Sequence, residues 1–207
     1  FGWFEAHNQV GEMSQRALVA SLISRIFAHE YGAGSFATWP GGDGDRFWSA
    51  LALYGLHKAD AAGHSVSAKR LSEGVRTLGY SFRAPDNQPQ SLARQAFELF
   101  VFASLGKPDA AQMDTFLNQK LVLPLPARFL LSIAFHKVGR AGDAQTLLGN
   151  PVAHARALSG APGARLLVEP NARTDWELAS DICTTALGIL ALSEIEPGAP
   201  LIPSLVQ

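Results

Sequence analysis

Two kinds of helical segment alternate along this chain, and that alternation restricts it to a layered array of helices. In 45–62, Trp48, Leu51, Ala52, Gly55, Leu56 and Ala59 make one apolar face, and Phe47, Ala50, Leu53 and Tyr54 make most of another. The segments 92–105, 129–135 and 178–192 are likewise apolar nearly all round. Such helices are buried on several sides. Between them lie segments with a single stripe: Leu71, Val75 and Leu78; then Met113, Phe116, Leu117 and Leu121; then Ala144, Leu147 and Leu148. Those suit an outer cover. Trp48, Leu92, Phe129 and Leu178 open the inner segments at spacings of 44, 37 and 49 residues, the period of a helical-hairpin array. The fold class expected is all-α, an α/α toroid with an inner layer of buried helices inside an outer layer of amphipathic ones. The ring is expected to be incomplete.

The residue types agree with that reading. Ala (32) and Leu (27) far outnumber Ile plus Val (17), which favours helix over strand. Clusters of Gly, Pro and Asn divide the chain into nine predicted helices, beginning near Ser14, Asp45, Ser67, Pro89, Asp109, Pro126, Gly142, Asp175 and Pro200. The strand candidate is 165–169, Arg-Leu-Leu-Val-Glu. One domain over 1–207 is expected, with 1–13 irregular. The chain opens at Phe1 with no initiator Met and stops at Gln207 without a terminating turn, so it reads as a piece of something longer.

Several function classes drop out early. Seventeen Lys and Arg against eighteen Asp and Glu leave a net charge of -1 with no basic run, which removes the phosphate attraction a nucleic-acid binder needs. The single cysteine, Cys183, permits no internal disulfide and cannot alone anchor a zinc site. No apolar run reaches the roughly 20 residues of a membrane-spanning helix. No metal or cofactor is expected: His29-Glu30 lacks the second histidine of a zinc-binding helix, and the glycines at 41, 42 and 44 lack the Lys-Ser/Thr that completes a phosphate loop.

The most informative stretch runs Gly34-Ser35-Phe36-Ala37-Thr38-Trp39-Pro40-Gly41-Gly42-Asp43-Gly44-Asp45 into an apolar helix. Its glycines permit a tight loop, and Phe36 and Trp39 are expected to plug the end of the helical layer. The loop resembles the glycine-phenylalanine-tryptophan loop in the thioester-containing domain of bacterial alpha-2-macroglobulins. Four further segments are similar to turns and helices of that domain, in the same order: Ala61-Ala62-Gly63-His64-Ser65-Val66; Ala103-Ser104-Leu105-Gly106-Lys107-Pro108; Leu125 to Leu131 with Lys137 to Ala144; and Asp181 to Glu194 with Pro200-Leu201-Ile202-Pro203-Ser204-Leu205-Val206. Residues 14–207 are covered by the likeness.

The resemblance implies a module of a protease trap in the periplasm or cell envelope, not an enzyme. Its partners would be proteases, as trapped targets, and neighbouring macroglobulin domains of the same chain. In that family a Cys-x-Glu-Gln motif forms an internal thioester. Cys183 has no Glu-Gln after it, and it reads as a small hydrophobe on an apolar face. Gly11-Glu12-Met13-Ser14-Gln15 is similar to a decayed motif, with Glu12 in the cysteine's place and Gln15 as the acyl partner. An ordinary helix start capped by Ser14 explains the same residues, and a motif encoded before Phe1 is a third reading. Phe36, Trp39 and Pro40 form a candidate interface loop, and Arg70, Glu73, Arg76, Asp114, Gln119 and Lys120 are expected to give the outer helices polar faces.

Two other classes remain open. A toroid enzyme acting on an isoprenoid or a polysaccharide needs suitably placed acids. Asp43-Gly44-Asp45 differs from the Asp-x-Asp-Asp acid of terpene cyclases by Arg46, a cation that favours ionised carboxylates, so Asp45 reads better as a helix cap. Glycoside chemistry needs two facing carboxylates, and the inner helices supply Glu98, Glu177 and Asp181. Trp39, Trp48, Phe97, Phe100 and Phe102 read as core before pocket. A helical-repeat adaptor is the third class.

Overall fold

The computed structural model describes residues 12–32, 34–80, 89–118, 123–157, 163–167 and 180–206. Nine α-helices and two small two-stranded sheets occur among them, so the fold is all-α. The chain divides into two compact units, Phe1–Phe82 and Arg83–Gln207.

The first unit holds α1 (Glu12–Ala28), β1 (Glu30–Tyr31), β2 (Ser35–Phe36), α2 (Arg46–Ala61) and α3 (Ala68–Tyr80). Helix α1 is described from Glu12, so Ser14 lies within the helix and not before it. Helix α2 starts where the sequence predicts. Asp45 has extended backbone, and its Oδ1 accepts the Trp48 amide at 3.0 Å. Asp45→Ala is therefore expected to lower stability by about 1 kcal/mol in urea unfolding, and Asp45→Asn, which keeps an acceptor, to recover most of it. Equal losses in the two variants would rule out the cap.

Helix α2 buries Phe47, Ser49, Ala50, Leu53 and Leu56, while Leu51 is exposed. Burial on both sides is not what is found here: Phe47, Ala50 and Leu53 are buried, while on the other face Leu56 is buried, Trp48 and Ala52 are half-buried and Leu51 is exposed; within this unit α2 packs on α3, β2 and α1. Helix α3 behaves as a cover, with Leu78 buried and Leu71 and Val75 half-buried.

The second unit holds α4 (Pro89–Ser104), α5 (Ala110–Asn118), α6 (Leu125–Lys137), α7 (Ala141–Leu148), a 3-10 turn (Pro151–His154), β3 (Ala155–Ala157), β4 (Ala164–Leu166), α8 (Asp181–Ile195) and α9 (Ile202–Val206). Helix α6 is its centre: α4, α7 and α8 all pack on it. Every residue from Leu125 to Phe135 except Arg128 is buried. Helix α4 is also buried on opposite sides, with Phe97, Leu99, Phe100, Val101 and Phe102 all enclosed. Exposure of both Phe100 and Phe102 would have defeated an inner-layer role; neither is exposed. These aromatics are core, as read from the sequence.

Helix α8 departs from the expectation. Ser180 caps it through a 3.1 Å bond from the Cys183 amide, so it starts at Asp181; Asp175 and Leu178, where the sequence places the start, lie outside the described residues. It buries Thr184, Gly188, Ala191 and Leu192 and exposes Ile182 and Leu190. Gly188 is required by the packing, since a Cβ there would run into Leu166 Cδ1 and lie 3.1 Å from Phe129 Cε2. Strand β4 overlaps the predicted strand at Arg165 and Leu166, stops before Leu167, and pairs antiparallel with β3, Arg156 opposite Arg165; 168–169 lie outside the described residues. Thr185 Oγ1 ties β4 to α8 by accepting the Leu166 amide at 3.0 Å and donating to the Asp181 carbonyl at 2.7 Å.

Candidate functional site: the aromatic-glycine loop

Phe36 and Trp39 part company in the structure. Phe36 sits in β2, opposite Glu30 of β1, and forms an isolated bridge with Asp45 on its other side. Its amide donates to Ser49 Oγ at 2.8 Å, the Asp45 amide donates to its carbonyl at 2.9 Å, and Ser49 Oγ donates to the Asp45 carbonyl at 2.6 Å. Pinned in this way, the ring points inward, is 2 % exposed, and lies 6.3 Å from the Phe27 ring centroid. It plugs the unit as expected.

Trp39 does not plug anything: it is 65 % exposed. It opens a tight turn closed by the Gly42 amide donating to the Trp39 carbonyl at 3.1 Å, and Gly41 takes a φ of +78° within it. The indole rests against Gly42, where a Cβ would lie 2.7 Å from Nε1. Pro40 and Asp43 are exposed beside it. The loop is seated on α3 by backbone contact, because a Cβ on Gly34 would lie 2.5 Å from Gly74 Cα and N.

The outer polar faces are partly spoken for. Arg70 of α3 pairs with Glu30, its Nε donating to Oε2 at 2.8 Å, and its guanidinium lies 3.7 Å over the Phe27 ring. Asp114 of α5 pairs with Arg140 at 2.5 Å; Arg140 also pairs with Asp143 at 2.7 Å and lies 4.6 Å over the Phe135 ring. The hydrogen bond to Asp114 leads in holding the Arg140 guanidinium above its ordinary pKa, desolvation opposes it, and Asp143 adds to it. Arg70 and Asp114 are therefore ties within the fold and not free faces. Glu73 is half-buried and Arg76 exposed, while Gln119 and Lys120 lie outside the described residues.

Of the candidate thioester position, Glu12 opens α1 and Gln15 is exposed on its first turns. Cys183 is half-buried on α8 and is a free thiol, so it is less enclosed than a core residue. The helix is apolar all round, and the sequence alone could not say which of its sides turns outward. Glu98 is buried in α4, Asp181 lies 3.9 Å from Arg165, and Glu177 is outside the described residues. No cluster of three or more metal-binding side chains occurs among the described residues. His29 Nδ1 lies 3.3 Å from the Ala37 carbonyl, which gives that histidine a structural partner at the base of the loop. An open, mostly apolar groove of about 370 Å³ runs between β4, α8 and α9, lined by Arg165, Asp181, Ile182, Ala186, Ile189 and Leu205 among others.

No family model matches this sequence, and no curated protein does. Solved structures do match. The chain aligns with native alpha-2-macroglobulin from Escherichia coli, spanning domain MG7 to the C-terminus, at a TM-score of 0.70 and 19% identity over 95% of this chain and 32% of that one. Salmonella alpha-2-macroglobulin reacted with methylamine gives 0.73 and 21%, over 94% of this chain and 13% of that one. Trypsin-activated alpha-2-macroglobulin from Escherichia coli gives 0.69 and 20%, over 94% and 13%. The chain thus shares its fold with a segment of bacterial alpha-2-macroglobulins, and it spans a third or less of those chains.

Proposed function

We propose that this chain is the thioester-domain-like module of a bacterial alpha-2-macroglobulin-like protease trap, a binding and conformational part without thioester chemistry of its own. The observation that carries this reading is the match over 94–95% of the chain to alpha-2-macroglobulins, one of them trypsin-activated. In this reading 1–207 acts as one domain of the α/α toroid kind; within the second unit, the enclosed helices α4 and α6 and the amphipathic α5 and α7 support a layered arrangement. Bait cleavage elsewhere would release strain, and the domains would close on the protease, so retention comes from enclosure and contact area. Trp39 and Pro40 face a neighbouring domain in this scheme, since contacts between domains of one chain are modest and remade easily. A trap of this kind belongs where foreign proteases arrive, in the periplasm or cell envelope. The runner-up enzyme reading needs two facing carboxylates, and the described acids supply no such pair at the groove, where Asp181 is beside Arg165.

Two measurements test it. The whole protein that contains this chain, mixed with trypsin, is expected to block digestion of a large protein substrate while leaving a small peptide substrate accessible. Equal loss of both activities, or of neither, would overturn enclosure. The chain itself, treated with methylamine under native conditions, is expected to gain no mass and release no thiol, because Cys183 is already free. A gain of one methylamide would show that an acyl-thiol bond does form.

A further inference from the structure

At two places among the described residues an arginine lies over an aromatic ring while its guanidinium pairs with a carboxylate. Arg70 does so over Phe27 with Glu30, and Arg140 over Phe135 with Asp143 and Asp114. The tip of the aromatic-glycine loop presents the same set with the cation missing. Trp39 rests on Gly42, and at Gly44, which the Ser35 side chain packs against, the Tyr31 ring lies alongside, its Cδ1 3.4 Å from where a Cβ would be. Asp43 is the residue between those two glycines. Trp39 is 65 % exposed, Tyr31 is 51 % exposed, and Asp43 is exposed with no ion-pair partner among the described residues. The other acid of the loop, Asp45, is already engaged as the cap of α2, and Arg46 has contacts of its own.

We propose that this loop tip is a recognition site for a basic side chain, an arginine by preference, presented by a partner polypeptide. The proposal rests on the reading of the loop as an interface and names what the interface takes. Ring faces attract a cation through their quadrupole, and a flanking carboxylate adds a charge-assisted hydrogen bond. A guanidinium satisfies both at once because its plane stacks while its edge donates, which an ammonium does less well. The turn is held in advance by the Phe36–Asp45 bridge and the Trp39–Gly42 hydrogen bond, so little ordering is left for the moment of binding.

The test uses the 207-residue chain with its indole nitrogens labelled and the Trp39 resonance assigned through its loss in Trp39→Phe. The probes are a blocked Gly-Arg-Gly peptide, the same peptide with neutral citrulline for arginine, and a chito-oligosaccharide. The Trp39 indole signal is expected to move with the arginine peptide and not with citrulline, and Asp43→Asn is expected to weaken that response about threefold, the size of an exposed cation-π and ion-pair contribution. An equal response to citrulline overturns the proposal and leaves the loop an interface of another chemistry. A response to the oligosaccharide alone replaces it with a sugar platform. Silence from all three probes overturns it, and the interface reading is then judged separately by whether Trp39→Ala alters trypsin enclosure in the whole protein.

Discussion

Phe36→Ala is expected to cost about 3 to 5 kcal/mol of stability, and Trp39→Ala, in the same loop, less than about 1 kcal/mol. Phe36 is enclosed and loses its contacts with Phe27 and the α2 face when truncated, leaving a cavity whose walls are held by β2 and α2. The backbone bonds of Phe36 to Ser49 and Asp45 survive the change, so the loss is one of packing alone. Trp39 is 65 % exposed and rests against Gly42, so its truncation removes mostly solvated surface. Urea unfolding of the two variants beside the parent chain provides the check. Similar costs for the two variants would mean that both rings are buried or that neither is.

The contrast shows where sequence reasoning reaches its limit. Both residues are aromatics in one glycine-rich loop, and a sequence gives no direction for a side chain outside a periodic element. What separates them is pairing: Phe36 lies in a two-residue strand opposite Glu30, too short to leave a period-2 pattern, while Trp39 lies in the turn beyond it. Where periodicity is long the sequence is legible. Helices α4 and α6 are buried on opposite sides as their apolar runs predict, and Asp45 caps α2 as its place before the run predicts. Helix α2 was legible as a helix but not in its burial, because a fully apolar pattern does not say whether a second layer is present to cover Leu51. The arginine ties were out of reach for another reason: Arg70 is 40 residues from Glu30 and Arg140 is 26 from Asp114, so nothing local signals either pairing.

Gly34→Ala is expected to cost about 3 kcal/mol or more, and the loop's seat on α3 is what the number measures. Two effects add. The residue has a φ of +83°, where an L side chain costs about 1 to 2 kcal/mol. A Cβ would also lie 2.5 Å from Gly74 Cα and N and 2.9 Å from the Glu73 carbonyl carbon, all backbone atoms of α3 that cannot rotate away, and overpacking of that kind costs about 1 to 3 kcal/mol. Gly63 separates the two terms, since it has the same φ of +83° and nothing within 4 Å of its Cβ position, so Gly63→Ala should show the conformational cost alone. Gly74→Ala works from the opposite side. Its Cβ would meet Leu53 Cδ2, on a buried side chain, at 2.5 Å and the Gly34 carbonyl oxygen at 3.0 Å, but no positive φ is involved and alanine restores about 1 kcal/mol of helix propensity, so its net cost should be the smaller of the pair. Because β2 and the Trp39 turn follow directly from Gly34, displacing that residue from α3 should also disturb the aim of Trp39 and Asp43. Gly34→Ala is therefore expected to weaken the arginine-peptide response of the loop tip while Gly63→Ala leaves it unchanged. If Gly34→Ala costs no more than Gly63→Ala, the loop is not seated on α3 by direct backbone contact, and the preorganised tip loses its physical basis.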